Sequence, residues 1–394
     1  MKVLYIIDSL EGYGAEKSIV EIALNLKEIT PVFVHLYKGQ KLKTQLQEQG
    51  LKVYSLNFPY KHNSGKVVEQ LIPIVRSENP SIIHSTLFRS DLVARRLKSH
   101  FPEKTLVGSL VSNSYSRSRY GQMNFLRRLK LFSTQLIDRF TAGQVDYFIC
   151  NSKAIMHTNR RALNISEEKV RVIYRGRKLK KSGDHDSGNC DLLKKELNPT
   201  EHRIFLNVGR LNEGKGQLDL VRAFAALQRE HSHVRLLIAG EGDLRSELEE
   251  MIQELGLQEK VLLLGYREDI EDLLDITEFF VFPTYFEGLP GALVEALLAK
   301  KPAIISNIPE NLECVPHGGA ITFEVGNVLD LKEKMIKALA AKDWAQKIDR
   351  SFHFARKNFD IDEVSRQYEN FYEEISRKRA TLEGDLEKSQ RTIS

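Results

Sequence analysis

The sequence predicts an α/β protein of two domains, each built on a doubly wound, mostly parallel sheet. Three observations predict it. The chain has 394 residues, too many for one ordinary core and suited to two domains of about 150–200 residues each. Short β-rich runs alternate with amphipathic helical runs, and this alternation occurs in two separate series. Between the series, at 175–203, the pattern stops in a polar, basic stretch rich in Gly and Ser.

The first series opens with KVLYIID (2–8), a strand, followed by AEKSIVEIALNLK (15–27), which has helical periodicity. PVFVHLY (31–37), KVYSL (52–56), SIIHS (81–85) and TLVGSLV (105–111) read as further strands, with helical patterns such as SDLVARRLKSH (90–100) between them. VDYFICNS (145–152) and KVRVIYR (169–175) close the half. These boundaries place a first domain at 1–180 and an inter-domain linker at 181–202. The second series runs through IFLNVGRL (204–211), a helix over 216–229, VRLLIAG (234–240), a helix over 243–255, KVLLLGY (260–266), EFFVFP (278–283), a helix, and PAIIS (302–306). It defines a second domain at 203–360. Helical pattern continues over 327–377, and the polar tail 379–394 is expected to fray.

Composition bounds the function. Hydrophobic residues make up 42% and charged residues 28%, the balance of a soluble globular chain. No apolar run approaches the roughly 20 residues that span a bilayer. The opening residues do not read as a signal peptide, because their apolar segment is short and ends in charge. Three scattered cysteines, Cys150, Cys190 and Cys314, show neither metal-ligand spacing nor a disulfide framework, so a reducing, cytoplasmic setting is expected. The net charge of +5 hides an asymmetry: residues 1–190 carry 31 Lys and Arg against 16 Asp and Glu, whereas residues 191–394 carry 27 against 37. A basic first half suits an anionic partner, either membrane headgroups, an anionic acceptor or nucleic acid; solvated surface charge is the alternative.

Three loops carry candidate chemistry. In FFVFPTYFEGLPGALVEALLAKKPAII (279–305) a strand delivers the chain to a loop with Glu287, Gly288, Leu289, Pro290 and Gly291, and a helix follows with Glu295 one turn inside. Free backbone N–H groups at a helix start favour an anion, and glycines admit a ligand close to the backbone. Two carboxylates beside such a site suit hydroxyl groups, since an ionised carboxylate accepts from two of them. A sugar and a ribose joined by a diphosphate have that pattern; a helix-capping Glu beside a surface Glu is the plainer reading. In NVGRLNEGKGQLDLVRAF (207–224), Arg210 and Lys215 follow a buried strand in a Gly-flanked loop, two cations placed to clamp a diphosphate. In SLEGYGAEKS (9–18), Gly12 and Gly14 make a small-residue loop at a helix start, a second phosphate-compatible site. This loop lacks a complete dinucleotide fingerprint, because Lys17 stands where the third glycine belongs.

Taken in order, these pieces resemble the retaining glycosyltransferases of family 4, which have the GT-B fold of two Rossmann-like domains facing across a cleft. The resemblance runs through the N-terminal Gly loop, VGRL…KG (208–216), AGEGDLRSELE (239–249), VLLLGYREDI (261–270), the two glutamates Glu287 and Glu295, and FDIDEVSRQYENFYEEI near the C-terminus. It implies that residues 361–378 cross back to the first domain, that the first domain binds the acceptor and that the second binds a nucleotide sugar, most often a UDP-sugar. It implies roles as well. Arg210 and Lys215 would neutralise the diphosphate and its leaving-group charge, the electrostatic task that is usually the largest in such catalysis. Glu287 would hold donor-sugar hydroxyls and Glu295 the ribose. Gly265, Tyr266 and Arg267 would border the base, Gly288, Leu289 and Gly291 would meet phosphate or sugar through backbone, and Gly12 and Gly14 would let the first domain approach the donor. The acceptor implied is a lipid-linked or surface-polysaccharide intermediate at the inner face of a membrane, and no cofactor is implied.

The sequence also departs from the family. Many members carry a histidine after the fifth strand, where this chain reads GSLVSNSYSRSRY (108–120) and offers Asn113. His84 is a second acceptor-side candidate, or else a satisfied structural histidine. Tyr13 interrupts the adjacent glycines of the first loop. The Asp184 and Asp186 pair matches the D-x-D of metal-dependent transferases of another fold but lies in a polar linker with no apolar strand before it, so no metal site is expected. Asp360 and Asp362 read as caps of the last helix. The stretch 116–140 interleaves Arg117, Arg119, Arg127, Arg128, Lys130 and Arg139 with aromatic and aliphatic residues. It reads as a basic amphipathic helix, either lying on an anionic membrane or packed on the core with a solvated basic face. No nucleic-acid recognition module is present. Two rivals keep the same fold: a nucleotide-sugar 2-epimerase, and a non-catalytic nucleotide-sugar-binding scaffold subunit.

Overall fold

The computed structural model describes residues 1–59, 64–121, 123–178, 187–198 and 202–393. It divides into two compact units, one formed by Met1–Lys178 with Phe359–Ser394 and the other by Leu179–Asn358.

The first unit is a sheet of seven strands, β1 (Lys2–Ile7), β2 (Thr30–Tyr37), β3 (Lys52–Phe58), β4 (Ile82–Thr86), β5 (Thr105–Leu110), β6 (Tyr147–Cys150) and β7 (Val170–Val172). Every pairing is parallel and the order is β3-β2-β1-β4-β5-β6-β7. Helices α1 (Gly14–Leu24), α2 (Lys43–Glu48), α3 (Ser64–Glu78), α4 (Phe88–Lys98), α5 (Arg117–Gly121), α6 (Phe125–Thr141) and α7 (Lys153–Leu163) connect them. The central strands are apolar on both sides because helices cover both faces of a parallel sheet; from Val3 to Ile7 every residue of β1 is buried. Order reverses between β1 and β4, where open α/β sheets place their ligand crevice.

The second unit begins with α8 (Ser187–Leu197), then β8 (Arg203–Val208), α9 (Gln217–Glu230), β9 (Val234–Ala239), α10 (Arg245–Glu254), β10 (Val261–Gly265), α11 (Ile270–Ile276), β11 (Phe279–Phe282), α12 (Gly291–Leu298), β12 (Ala303–Ser306), α13 (Pro309–Leu312), β13 (Ile321–Phe323), α14 (Val328–Ala340) and α15 (Trp344–Phe359). Its sheet is parallel, in the order β10-β9-β8-β11-β12-β13, and reverses between β8 and β11.

Three stretches take a more specific form than the sequence pattern gives. The stretch that reads as a polar connection contains α8, whose Leu193 and Leu197 are buried and whose Leu197 carbonyl accepts from Arg235; these two apolar anchors dock a short helix whose Leu192 stays exposed. The helical run over 327–377 is three helices, broken at 341–343 and at Asp360. Residues 379–393 of the polar tail are assigned to the last helix, α16 (Ile361–Ile393). Its Glu, Lys, Arg and Leu are good helix formers, and ahead of the tail the pairs Glu373–Arg377 and Glu374–Lys378 add i,i+4 support.

Asp360 caps α16 by accepting from Asp362 N–H at 2.9 Å, while Asp362 lies in the first turn, where negative charge suits the helix dipole. Helix α16 belongs to the first unit. Val364, Tyr368, Phe371, Tyr372 and Ile375 recur at helical spacing and are buried in a core with Val3, Tyr5, Phe33 and Val107. Burying each of these large side chains contributes about 1.5–3 kcal/mol, so the helix is held chiefly by this face.

Candidate functional site

Arg210 and Lys215 leave the carboxyl end of β8, and Glu287 leaves the carboxyl end of β11. Those are the two strands at which the sheet reverses, so the fold brings all three residues to the same crevice. Lys215 Nζ donates to Glu287 Oε1 at 2.5 Å, and both side chains are largely buried. The ammonium also lies 5.8 Å from the centroid of the Phe282 ring, a favourable cation–π position.

Backbone contacts lock the two loops together. Tyr285 N–H donates to the Gly214 carbonyl at 3.0 Å. A Cβ on Gly214 would lie 2.5 Å from the Phe286 ring, and one on Gly216 would lie 2.2 Å from the Pro283 carbonyl oxygen. Gly216 also has φ +68, a left-handed conformation that glycine adopts without strain. The glycines flanking Lys215 therefore let its turn lie flat on the Glu287 loop.

Buried polar groups extend this lock. Asn207 donates to the Val281 carbonyl at 2.9 Å, tying β8 to β11. The Gln217 amide donates to the Arg210 carbonyl at 3.2 Å, which holds the backbone of the arginine while its side chain remains exposed. Tyr285 donates its hydroxyl to Asp219, and burial with that carboxylate pushes the phenol up to about 12. Ser306 and Asn311 bond one another, and Ser306 Oγ donates to the Thr284 carbonyl at 2.6 Å beneath the loop. The sequence reading missed these positioning residues. Only Asn207 and Gln217 left a signal, as polar residues at otherwise apolar positions.

The remaining second-unit candidates fall nearby in the fold. Gly288 and Gly291 lie in the Glu287 loop and at the start of α12, with Glu295 one turn further along. Pro290 precedes the helix rather than forming its first residue. The Leu289 side chain is buried, so the residue offers a ligand its backbone only. Gly265 ends β10 and its carbonyl accepts from Gly240 N–H at 2.8 Å. Tyr266 is exposed, but the Arg267 guanidinium is paired with Asp269 on two nitrogens, which raises its pKa and lowers that of the carboxylate.

The first-unit candidates separate. In the Gly loop, Gly12 N–H and Tyr13 N–H donate to Glu16 Oε2 at 2.8 and 3.0 Å, and Ser9 donates to its other oxygen. A buried carboxylate thus occupies donors that the sequence reading offered to a phosphate, a correction to the role of Gly12; burial pushes that carboxyl up. Gly14 begins α1 beside the Arg175 guanidinium.

His84 is corrected as an acceptor-side candidate. It is fully buried within β4, its Nε2 paired with Ser109 Oγ at 2.6 Å and its Nδ1 with Tyr372 Oη at 2.5 Å. Tyr372 Oη continues to Tyr5 Oη at 3.1 Å, so the histidine fastens α16 to the sheet. Burial in this setting lowers its pKa to about 3. Asn113 lies buried just beyond β5. At the crevice between β1 and β4, Asp8 accepts from both Ser90 N–H and Ser90 Oγ, and burial raises its pKa.

The Asp184 and Asp186 pair lies outside the described residues. Among the described residues no three His, Cys, Asp or Glu side chains gather to hold a metal ion, and no helix is long and apolar enough to cross a membrane.

Comparison with known proteins agrees with this architecture. Residues 191–351 match the family "Glycosyl transferases group 1" and residues 13–181 match "Glycosyltransferase Family 4". The capsular polysaccharide biosynthesis glycosyltransferase CapH of Staphylococcus aureus is 25% identical over 392 residues, covering 94% of this chain and 98% of that protein. A Campylobacter jejuni enzyme, N-acetylgalactosamine-N,N'-diacetylbacillosaminyl-diphospho-undecaprenol 4-alpha-N-acetylgalactosaminyltransferase, is 34% identical over 154 residues, 39% of each chain. The chain thus spans less than half the length of two curated relatives that it matches. Among solved structures, Anabaena HepE in complex with UDP-glucose superposes with a TM-score of 0.81 at 20% identity, covering 95% of this chain and all of that one. The chain belongs to glycosyltransferase family 4 and has the GT-B fold.

Proposed function

We propose that this protein transfers a sugar from a UDP-sugar to a lipid-linked or surface-polysaccharide acceptor, with retention at the anomeric carbon and without a metal ion. The observation that carries this reading is the convergence of Arg210, Lys215 and Glu287 at the β8/β11 reversal. Two cations and a carboxylate there match a diphosphate joined to a sugar. The nature of the donor is supported by HepE, solved with UDP-glucose, and that of the acceptor by the undecaprenol-linked and capsular relatives. With such an acceptor the protein would work at the cytoplasmic face of a membrane.

In this proposal Arg210 and Lys215 neutralise the diphosphate and the charge that develops on it as the sugar leaves. The C1–O bond to phosphate breaks, a C1–O bond to the acceptor forms on the same face, and the leaving phosphate takes the acceptor proton. No protein nucleophile is required. Glu287, held by Lys215, binds donor-sugar hydroxyls and Glu295 binds the ribose. Gly265, Tyr266 and Arg267 border the base. Gly288, Leu289 and Gly291 present backbone to phosphate or sugar. In the first unit Gly14 is a donor-side glycine and Asn113 serves the acceptor side.

The deciding experiment is calorimetric titration with UDP, GDP and ADP in EDTA, followed by turnover of UDP-sugars with the anomeric configuration of the product read by NMR. UDP binding without metal that is lost in Arg210→Ala, together with a retained anomer, supports the proposal. No nucleotide binding, or an inverted product, overturns it.

A further inference from the structure

Helix α6 is amphipathic in the reverse sense. Of its 17 residues only Asp138 is buried. Its inward side is polar: Asp138 accepts from Arg95 Nη1 at 2.7 Å and from Tyr115 Oη at 2.7 Å, and Gln135 accepts from Tyr120 Oη at 2.7 Å. Phe125, Leu129, Phe132, Leu136 and Phe140, spaced i, i+4, i+7, i+11 and i+15, form one row on the opposite side. All five are exposed, Phe125 at 77% and Phe140 at 82%, and Leu126, at 75%, flanks them. The alternative in which this helix packs its apolar side on the core is thereby overturned. Contiguous exposed apolar surface of this kind marks an interaction site.

We infer that this row inserts into an anionic lipid bilayer. Charge complementarity selects the occupant. Arg127, Arg128, Lys130 and Arg139 are all exposed on the same helix, and its one acidic residue, Asp138, is turned inward and paired with the fully buried Arg95. A second copy of the chain would set these cations against their own kind, whereas acidic headgroups would pair with them while the acyl region receives the rings. The anchoring is suited to this use: buried ionic bonds hold the polar side while the apolar side stays available. The inference names the element that would bring the protein to a lipid-linked acceptor, yet it needs neither donor nor turnover.

The test uses the full chain without donor. Phosphatidylcholine vesicles with and without phosphatidylglycerol are co-sedimented with wild type, and a Phe140→Trp variant is mixed with vesicles of brominated lipid. Binding that requires phosphatidylglycerol, with quenching by brominated acyl chains, is expected. Joint Phe125→Ser, Leu129→Ser, Phe132→Ser and Phe140→Ser should weaken binding about tenfold or more at every salt concentration. Joint Arg127→Gln, Arg128→Gln and Lys130→Gln should remove the salt-sensitive part. The single Phe140→Ser variant, altered at a solvent-facing position, guards against misfolding and should show a smaller loss with an unchanged melting temperature. No vesicle binding, binding indifferent to the apolar variants, or a concentration-dependent dimer that those variants abolish would each overturn the inference.

Discussion

Lys215 and Glu287 lie 72 residues apart in sequence and 2.5 Å apart in the fold. The carboxylate proposed to hold the sugar is thus positioned by a cation proposed to hold the diphosphate. An arriving phosphate would share the ammonium with Glu287, coupling donor binding to the placement of the carboxylate.

Glu287→Ala should therefore lower turnover by about 100-fold or more, the scale seen when a preorganised polar contact to the reacting group is removed. Its UDP affinity should remain within about threefold of wild type, because UDP lacks the sugar, and the lost charge costs less than 1 kcal/mol. Steady-state kinetics alongside calorimetry would separate the two effects, and unchanged turnover would remove Glu287 from the mechanism.

Arg210→Ala should weaken UDP binding by roughly 10- to 100-fold, since a charged hydrogen bond contributes about 1.5–3 kcal/mol. Arg210→Lys should recover part of the charge but not a forked contact. Equal affinity in all three proteins would show that the clamp is wrongly assigned.

Gly216→Ala places a Cβ 2.2 Å from the Pro283 carbonyl at a φ of +68. Strain of this kind costs about 1–3 kcal/mol, and relief would require Lys215 to move away from Glu287. Urea denaturation should show the lost stability, and donor binding should fall with it. A variant as stable and active as wild type would contradict the close approach of the two loops.

Burial holds His84 neutral in the fold, with its pKa lowered to about 3 from the ordinary 6.5. Between those values the unfolded chain binds a proton that the folded chain does not. Stability should therefore be lost as pH falls from about 6.5 towards 3, by up to about 1.4 kcal/mol per pH unit. Asp91 opposes this: burial pushes it up to about 7, so its contribution weakens as pH rises from about 4 to 7. The difference between wild type and His84→Asn isolates the histidine. Parallel stability curves for the two proteins would refute its assignment as a buried neutral group.

Much of this protein was legible in its sequence because periodicity and turn chemistry are local. Alternating strands and helices predicted two parallel sheets, and Gly- and Pro-bearing loops after buried strands located Arg210, Lys215 and Glu287. The break at 175–203 conceals α8, which Leu193 and Leu197 seat. Which groups satisfy one another was left to the tertiary structure. Glu16, at a position with ordinary helical spacing, takes the Gly12 and Tyr13 donors. His84 looked like a polar group at a strand end until α16, almost 300 residues later, closed over it. The basic segment at 116–140 shows the limit most plainly. An amphipathic pattern tells which residues share a face of a helix, but only its neighbours decide which face turns inward. On α6, Arg95 and Tyr115 draw Asp138 inward and leave the aromatic row outside.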